Sequence, residues 1–237
     1  MKFYRQLAPI KAMSFDLDDT LYDNRPVIAR LTRDANAWLH LHHPISATQN
    51  EAWWQALKMQ LAEQDNWLYS DVALWRHTTI YQGLLLLGYS AQQARQAADD
   101  LMAVVVELRS DFSVPTSTHQ VLAELADKRP LVAITNGNVD VERIGLSDYF
   151  SLILRAGPNG HAKPHADMFT QAQQFLTLPR EHILHVGDHL TTDVAGAKNN
   201  GFQACWINDQ GLSVRHEKHA SILPDVEIER LDELLQL

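Results

Sequence analysis

Phe15-Asp16-Leu17-Asp18-Asp19-Thr20-Leu21 is the stretch on which the reading of this chain turns. Asp16 and Asp18 stand two residues apart, at the end of an apolar run, Ala12–Leu17, that reads as a short buried strand. Two acids at such a place are costly, because an unpaired charge taken out of water costs several kcal/mol. They are tolerable if a divalent cation neutralises them, or if one of them does chemistry. Asp19 alternates away from both and reads as structural or hydrogen-bonding.

Outward from this stretch the pattern changes. From Pro26 to about Asp111 no strand-like alternation appears. Apolar residues recur at helical spacing in Val27/Ala29/Leu31/Ala35/Trp38/Leu39, in Trp53/Trp54/Leu57/Leu61, in Val72/Trp75/Ile80/Leu84/Leu87 and in Ala94/Ala98/Leu101/Val104/Val105/Leu108. About four helices are expected, with Gly88 stopping the third and Ser90 capping the fourth. From Val114 onward helices and strands alternate. Helix Thr116–Lys128 leads to strand Leu131–Thr135, and a short helix around Val139–Leu146 leads to strand Ser151–Leu154. Helix His165–Leu176 leads to strand His182–Val186, and helix Thr192–Asn200 leads to strand Gln203–Ile207. Asn208–Asp225 reads as a polar, irregular loop with a weak strand near its end. The expectation is an α/β fold with a parallel sheet covered by helices on both faces, and a helical domain inserted after the first core strand. The core domain is assigned residues 1–22 and 114–237, the insert residues 23–113.

Composition sets limits. The 237 residues are enough to bury roughly 70–75% of the unfolded surface, and length alone fits one large or two small domains. A net charge of −9 argues against a nucleic-acid partner held by its phosphates, while leaving room for a local basic site for one small phosphate. The single Cys205 excludes an internal disulfide and a cysteine zinc site. The N-terminal MKFYRQLAPIKAMSF has no long apolar core, and Leu84–Leu87 and Val104–Val106 are far too short to span a membrane. A cytoplasmic protein is expected, a monomer or weak homodimer with no membrane or nucleic-acid partner.

Ligands of open α/β sheets bind outside the carboxyl ends of the strands, and polar residues gather there. Asp16 and Asp18 end the first core strand, and Thr135-Asn136-Gly137 ends the next. Lys163-Pro164 lies in the loop after the third, and Gly187-Asp188, with Asp193 five residues on, follows the fourth. In this order and context the set resembles the four motifs of the haloacid dehalogenase (HAD)-like hydrolase superfamily, over Ala12 to Asn200. The resemblance implies a Rossmann-like core with an inserted α-helical cap of the C1 type, hinged at Tyr22–Arg25. It implies that Asp16 is a nucleophile forming an aspartyl-phosphate and Asp18 the general acid/base. Thr135, the Asn136 backbone N–H and Lys163 would hold phosphoryl oxygens. Mg²⁺ would be held by the Asp16 carboxylate, the Asp18 backbone carbonyl and the Asp188 carboxylate. Asp193 would support the site from behind, through a metal-bound water or through Lys163.

The chemistry calls for these residue types. Phosphate monoesters hydrolyse extremely slowly unaided, and catalysis comes from positioning and charge neutralisation. An anionic nucleophile approaching an anionic phosphate needs cations between them, and Mg²⁺ and a lysine supply them. An acid at position 18 is what the dehalogenase branch of the superfamily lacks, so it favours phosphatase or phosphomutase chemistry. Three stretches further resemble bacterial flavin mononucleotide phosphatases of the superfamily: FYRQLAPIKAMSFDLDDTLYDNRPVI, PLVAITNGN, and LRAGPNGHAKPHADMF with ILHVGDHLTTDVAGA. That group acts on flavin mononucleotide and on 5-amino-6-(5-phospho-D-ribitylamino)uracil, which makes these the expected substrates. The alternatives are a sugar-phosphate phosphatase or phosphomutase of the same superfamily, or a receiver-like or phosphate-binding module without turnover.

Each motif also has a plain structural reading. Asp-x-Asp can be a turn, Thr135 a strand-end hydroxyl, Lys163 a solvated loop lysine, and Asp193 a charge favouring a helix N-terminus. His40, His42 and His43 fit a helix end better than a metal site, and His189 would stand at the site entrance. Gly157 and Gly160 before Lys163 mimic a phosphate loop only loosely. Trp53, Trp54, Trp67 and Trp75 read mostly as core of the insert, and Arg76 and His77 as residues that could reach the cleft.

Overall fold

The structure is a computed structural model that describes residues 1–214 and 221–237. The chain divides into two compact units. One comprises Met1–Asn24, Ser113–Gly137 and Val141–Leu237; the other comprises Arg25–Phe112 with Asn138–Asp140.

The first unit is built on a seven-stranded sheet. Its strands are β1 (Lys2–Phe3), β2 (Ala12–Phe15), β3 (Leu131–Thr135), β4 (Leu152–Arg155), β5 (Ile183–Gly187), β6 (Gln203–Ile207) and β7 (Val226–Ile228), in the order β1-β7-β6-β5-β2-β3-β4. All neighbours are parallel except β1 and β7. β2, β3, β5 and β6 are buried throughout, as expected of strands covered on both faces. Successive connections leave β2 on one side for β3 and β4, then cross to β5 on the other, so β2 lies at the point where the strand order reverses. The core on one face joins Val132, Ile134, Phe169, Val194, Phe202 and Trp206.

The second unit is α-helical: α1 (Arg25–His42), α2 (Glu51–Gln64), α3 (Val72–Leu86) and α4 (Ala91–Ser110). Polar side chains start three of them. The Asn50 side chain accepts from the Trp53 N–H, Asp71 accepts from Ala73 and Leu74, and Ser90 forms a reciprocal capping box with Gln93. Gly88, at φ 100°, turns the chain after α3. Leu31, Ala35, Leu39, Ile80, Leu84, Ala98, Leu101 and Val105 pack together as the core of this unit.

The strands fall within a residue or two of their expected bounds, and β1 is an addition. The helix expected around Val139–Leu146 is absent; Val141–Gly145 is a turn closed by the Leu146 N–H on the Val141 carbonyl at 3.0 Å, with Gly145 at φ 72°. The segment is too short for helix propagation to offset the cost of nucleation. The stretch expected as helix Thr192–Asn200 begins instead as a π-helical turn, Leu190–Ala195, followed by Gly196–Asn199. The remaining helices of the first unit are α5 (Thr116–Ala126) and α6 (Asp167–Leu176). The strand anticipated late in Asn208–Asp225 is β7, just beyond it, and part of that polar stretch lies outside the described residues. Among the described residues no helix is long and apolar enough to cross a membrane.

Candidate active site

Three neighbouring parallel strands, β3, β2 and β5, end side by side. Phe15 is in register with Ala133 on one side and Val186 on the other, and the Asp16 N–H donates to the Val186 carbonyl at 2.9 Å. Parallel register therefore delivers Asp16, Thr135 and Gly187-Asp188 to one edge of the sheet. The loop after β4 brings Lys163 to the same place. The Lys163 Nζ lies 2.8 Å from Asp16 Oδ1 and 2.6 Å from Asp193 Oδ1. Lys163 is 3% exposed, Asp16 8% and Asp193 1%, so this is a buried cation shared by two buried carboxylates.

Such an arrangement shifts every member. Burial pushes Asp16 well up, and the neighbouring Asp193 and Asp18 charges add to this while Lys163 opposes it. Burial acts the same way on Asp193, but Lys163 and His185 outweigh it and hold its carboxyl well below the usual range. Burial lowers the Lys163 ammonium, yet the two carboxylates prevail and raise it. The cluster thus keeps Lys163 charged and Asp193 ionised. Asp188 is pushed up to about 7, by burial and then by the Asp193 and Asp19 charges, with Thr20 Oγ1 as a weak donor at 3.3 Å.

Asp16, Asp188 and Asp193 each offer a carboxylate oxygen, all within 4.8 Å of one another. An anionic all-oxygen set suits a hard divalent cation. The three neighbouring carboxylates outnumber the one lysine, and this negative charge adds to burial in raising Asp188; a divalent cation would offset it. The residues therefore fit a metal ion. Asp193 already has both oxygens engaged: Oδ1 by Lys163 and His185, Oδ2 by the His189 N–H at 3.0 Å and the Thr192 hydroxyl at 3.4 Å. Asp16 and Asp188 are the freer ligands. Gly187 makes the approach of Asp193 possible, because a Cβ there would stand 2.4 Å from the Asp193 Cβ.

Asp18 lies one turn of chain beyond Asp16. Its Oδ1 accepts from the Tyr22 hydroxyl at 2.7 Å, and its Oδ2 lies against Gly137, where an added Cβ would come within 2.3 Å. The end of β3 and the Asp18 carboxyl therefore share one small space, which only glycine leaves open. The Thr135 hydroxyl accepts from the Gly137 N–H at 3.0 Å, and a hydroxyl that accepts can still donate. Asp19, at φ 57°, accepts from the Asn24 N–H at 2.8 Å and shapes the turn.

Sequence reasoning named Asn136 only for its backbone N–H and gave His185 no role in the site. The Asn136 side chain takes both backbone groups of Lys163, accepting from its N–H at 2.7 Å and donating to its carbonyl at 3.0 Å, and so ties the lysine's loop to the end of β3. His185, buried in β5, contacts the Ser14 Oγ through Nδ1 at 2.9 Å and Asp193 through Nε2 at 3.3 Å. Burial, with the Lys163 charge, lowers it to about 4 against the pull of Asp193. A histidine facing the core two residues before Gly187 was the available signal. His189 instead caps the turn after β5, its Nδ1 accepting from Thr191 and Thr192 at 3.2 Å. His40, His42 and His43 bond separately to Ser46, the Trp38 carbonyl and Tyr89, and His77 pairs with Asp99.

The comparisons agree with this geometry. Residues 10–201 match the haloacid dehalogenase-like hydrolase family, and the chain belongs to that family. It is 47% identical, over 100% of both chains, to the 5-amino-6-(5-phospho-D-ribitylamino)uracil phosphatase YigB of Escherichia coli (strain K12). The pyrimidine 5'-nucleotidase YjjG of the same organism is 36% identical over 44% of this chain and 47% of its own. A crystal structure of a 2-haloacid dehalogenase from Pseudomonas syringae pv. Tomato DC3000 superposes with a TM-score of 0.90 at 32% identity, covering 96% of this chain and 97% of that one. Family and relatives together make the chain an enzyme, a phosphatase of the HAD-like type.

Proposed function

We propose that the chain hydrolyses 5-amino-6-(5-phospho-D-ribitylamino)uracil and flavin mononucleotide through an aspartyl-phosphate on Asp16, with Mg²⁺ as cofactor. The observation that carries the mechanism is the buried ion pair of Lys163 with Asp16 and Asp193, set beside Asp188. The full-length similarity to YigB supports the substrate class. The Asp16 and Asp188 carboxylates, with the Asp18 backbone carbonyl, would hold Mg²⁺, which when bound neutralises charge between the nucleophile and the phosphate.

The chain's own residues do the rest. Lys163 holds one oxygen of Asp16 and leaves the other to attack phosphorus in line. Lys163, the Thr135 hydroxyl and the Asn136 N–H receive the phosphoryl oxygens. As the ester P–O bond breaks, protonated Asp18 gives its proton to the leaving alkoxide. The resulting carboxylate takes a proton from water, whose oxygen attacks the aspartyl-phosphate. The P–O bond to Asp16 then breaks, releasing phosphate and restoring the carboxylate. The Tyr22 hydroxyl orients Asp18 for both transfers. We read residues 23–113 as the helical cap domain, selecting small phosphates, residues 1–22 and 114–237 as the core domain, and the enzyme as cytoplasmic, a monomer or weak homodimer.

The test is phosphate release with Mg²⁺ over a panel of flavin mononucleotide, the ribitylaminouracil phosphate, hexose phosphates and nucleotides. The two named compounds should lead, and Asp16→Asn should lose turnover while keeping its fold. Full activity of that variant refutes the mechanism; preference for another class refutes the substrate reading alone.

A further inference from the structure

The helical unit contains a cavity of about 280 Å³ among α1, α2 and α3, with Leu101 of α4 as part of its wall. Its lining includes the apolar Leu39, Ile80 and Leu101 and the Trp54 side chain, together with the cations Arg76 and Lys58. The Arg76 Nη1 is buried and has no hydrogen-bond partner. The Lys58 ammonium lies 4.4 Å from the centre of the Trp75 ring. Among the described residues, the charges acting on these two cations are themselves cations: that of Arg109 on Arg76, and that of Arg76 on Lys58. Burial and this repulsion both lower their proton affinity. Glu51 also lines the space but is exposed on its rim.

Two cations on the wall of a partly apolar cavity, each acted on by a further positive charge, are costly unless something supplies an opposing negative charge. We propose that this cavity is a binding site for a small organic anion, its acidic head held by Arg76 and Lys58 and its apolar body laid against Leu39, Ile80 and Trp54. The volume falls just below the usual lower bound for ligand pockets, about 300 Å³, so the occupant is smaller than a drug-sized molecule. The Glu51 carboxylate on the rim sets a preference for a single negative head. This site is independent of the phosphatase reading, because none of its residues belongs to the acid–lysine cluster.

The test titrates benzenesulfonate, and in parallel benzoate, into the ¹⁵N-labelled full chain with Mg²⁺. The readouts are the Trp54 indole N–H, which donates to the Ser46 carbonyl, and the side-chain amide of Gln55, which lines the cavity. Saturable shifts at these two groups are expected with at least one probe, and the difference between the probes ranks sulfonate against carboxylate heads. Arg76→Gln and Lys58→Gln should each weaken binding about tenfold or more, with Arg76→Lys intermediate. The dispersed spectrum of each variant shows that it is folded, and Lys58, the more peripheral cation, tests the site even if Arg76→Gln does not fold. Shifts confined to Gly137 and Gly187 would place the probes in the acid–lysine cluster alone and overturn the proposal. Shifts that do not saturate, or unchanged affinity in folded variants, would overturn it as well.

Discussion

Replacing Lys163 by methionine keeps the length and apolar volume of the side chain and removes its charge. The Nζ stands 2.8 Å from Asp16 Oδ1 and 2.6 Å from Asp193 Oδ1. At an effective dielectric of about 20 each contact corresponds to roughly 6 kcal/mol of Coulomb attraction, most of it offset by the desolvation of three buried charges. What remains is the penalty of stranding the carboxylates, about 3–5 kcal/mol for a broken buried pair. The sign with pH follows. In the variant both acids lose the cation that opposes their burial, so Asp16, already raised, rises further and Asp193 loses the charge that does most to hold it down. A raised carboxyl pKa costs stability as pH climbs above the unfolded value, because the unfolded state ionises first. The deficit of Lys163→Met should therefore be large near about pH 8 and smaller near about pH 5. Mg²⁺ should recover part of it by supplying charge next to Asp16. The assay is urea unfolding of both proteins at the two pH values, with and without Mg²⁺. A deficit below about 1 kcal/mol, the range of exposed pairs, would show that the cluster is not the desolvated clamp described here. A deficit independent of pH would refute the stranded-carboxylate argument.

The other predictions concern individual members of the site. Asp18→Asn should release a burst of p-nitrophenol from p-nitrophenyl phosphate and then stall, because this leaving group needs no proton but hydrolysis of the aspartyl-phosphate needs the base; steady turnover in rapid-quench kinetics would exclude that role. Mg²⁺ should raise the Tm of the wild-type chain, by about 2.7 kcal/mol of stabilisation at a hundredfold excess over Kd, and Asp188→Asn should lose most of this response in calorimetry. His185 is lowered to about 4 from an ordinary 6.5, so the fold favours its neutral form. Its contribution is complete above about pH 6.5 and is lost as pH falls towards about 4, up to roughly 3 kcal/mol. His185→Gln should flatten the stability–pH curve in that window, and an unchanged slope in unfolding titrations would contradict the assignment.

Much of the core unit was legible because parallel strands buried on both faces are nearly continuous apolar runs bounded by polar ends. β2, β3 and β6 fall almost where hydrophobic patterning puts them, and the N-cap at Ser90 and the stop at Gly88 are local chemistry readable residue by residue. The helix expected at Val139–Leu146 was misread because a few apolar residues at helical spacing cannot reveal a chain that closes after one turn. β1 was overlooked because two residues carry no periodicity, and their pairing with β7 is a long-range contact.

The acids, threonine and lysine could be named from the sequence because they lie at strand ends or in the loops that follow, in an order that resembles the HAD-like motifs. Their partnerships could not be named in that way. That Lys163 bridges Asp16 and Asp193, that Asn136 clamps the Lys163 backbone with its side chain, and that His185 stands behind Asp193 depend on which strands are neighbours and in what register. The cavity of Arg76 and Lys58 likewise needs three helices packed in one order. By itself, then, the sequence determined most of the strands and helices and the residues with chemistry to offer, since these follow from short-range periodicity and residue type. Only the tertiary structure decided which charges share a desolvated space, because electrostatic partnership depends on separations of a few ångströms between residues far apart in the chain.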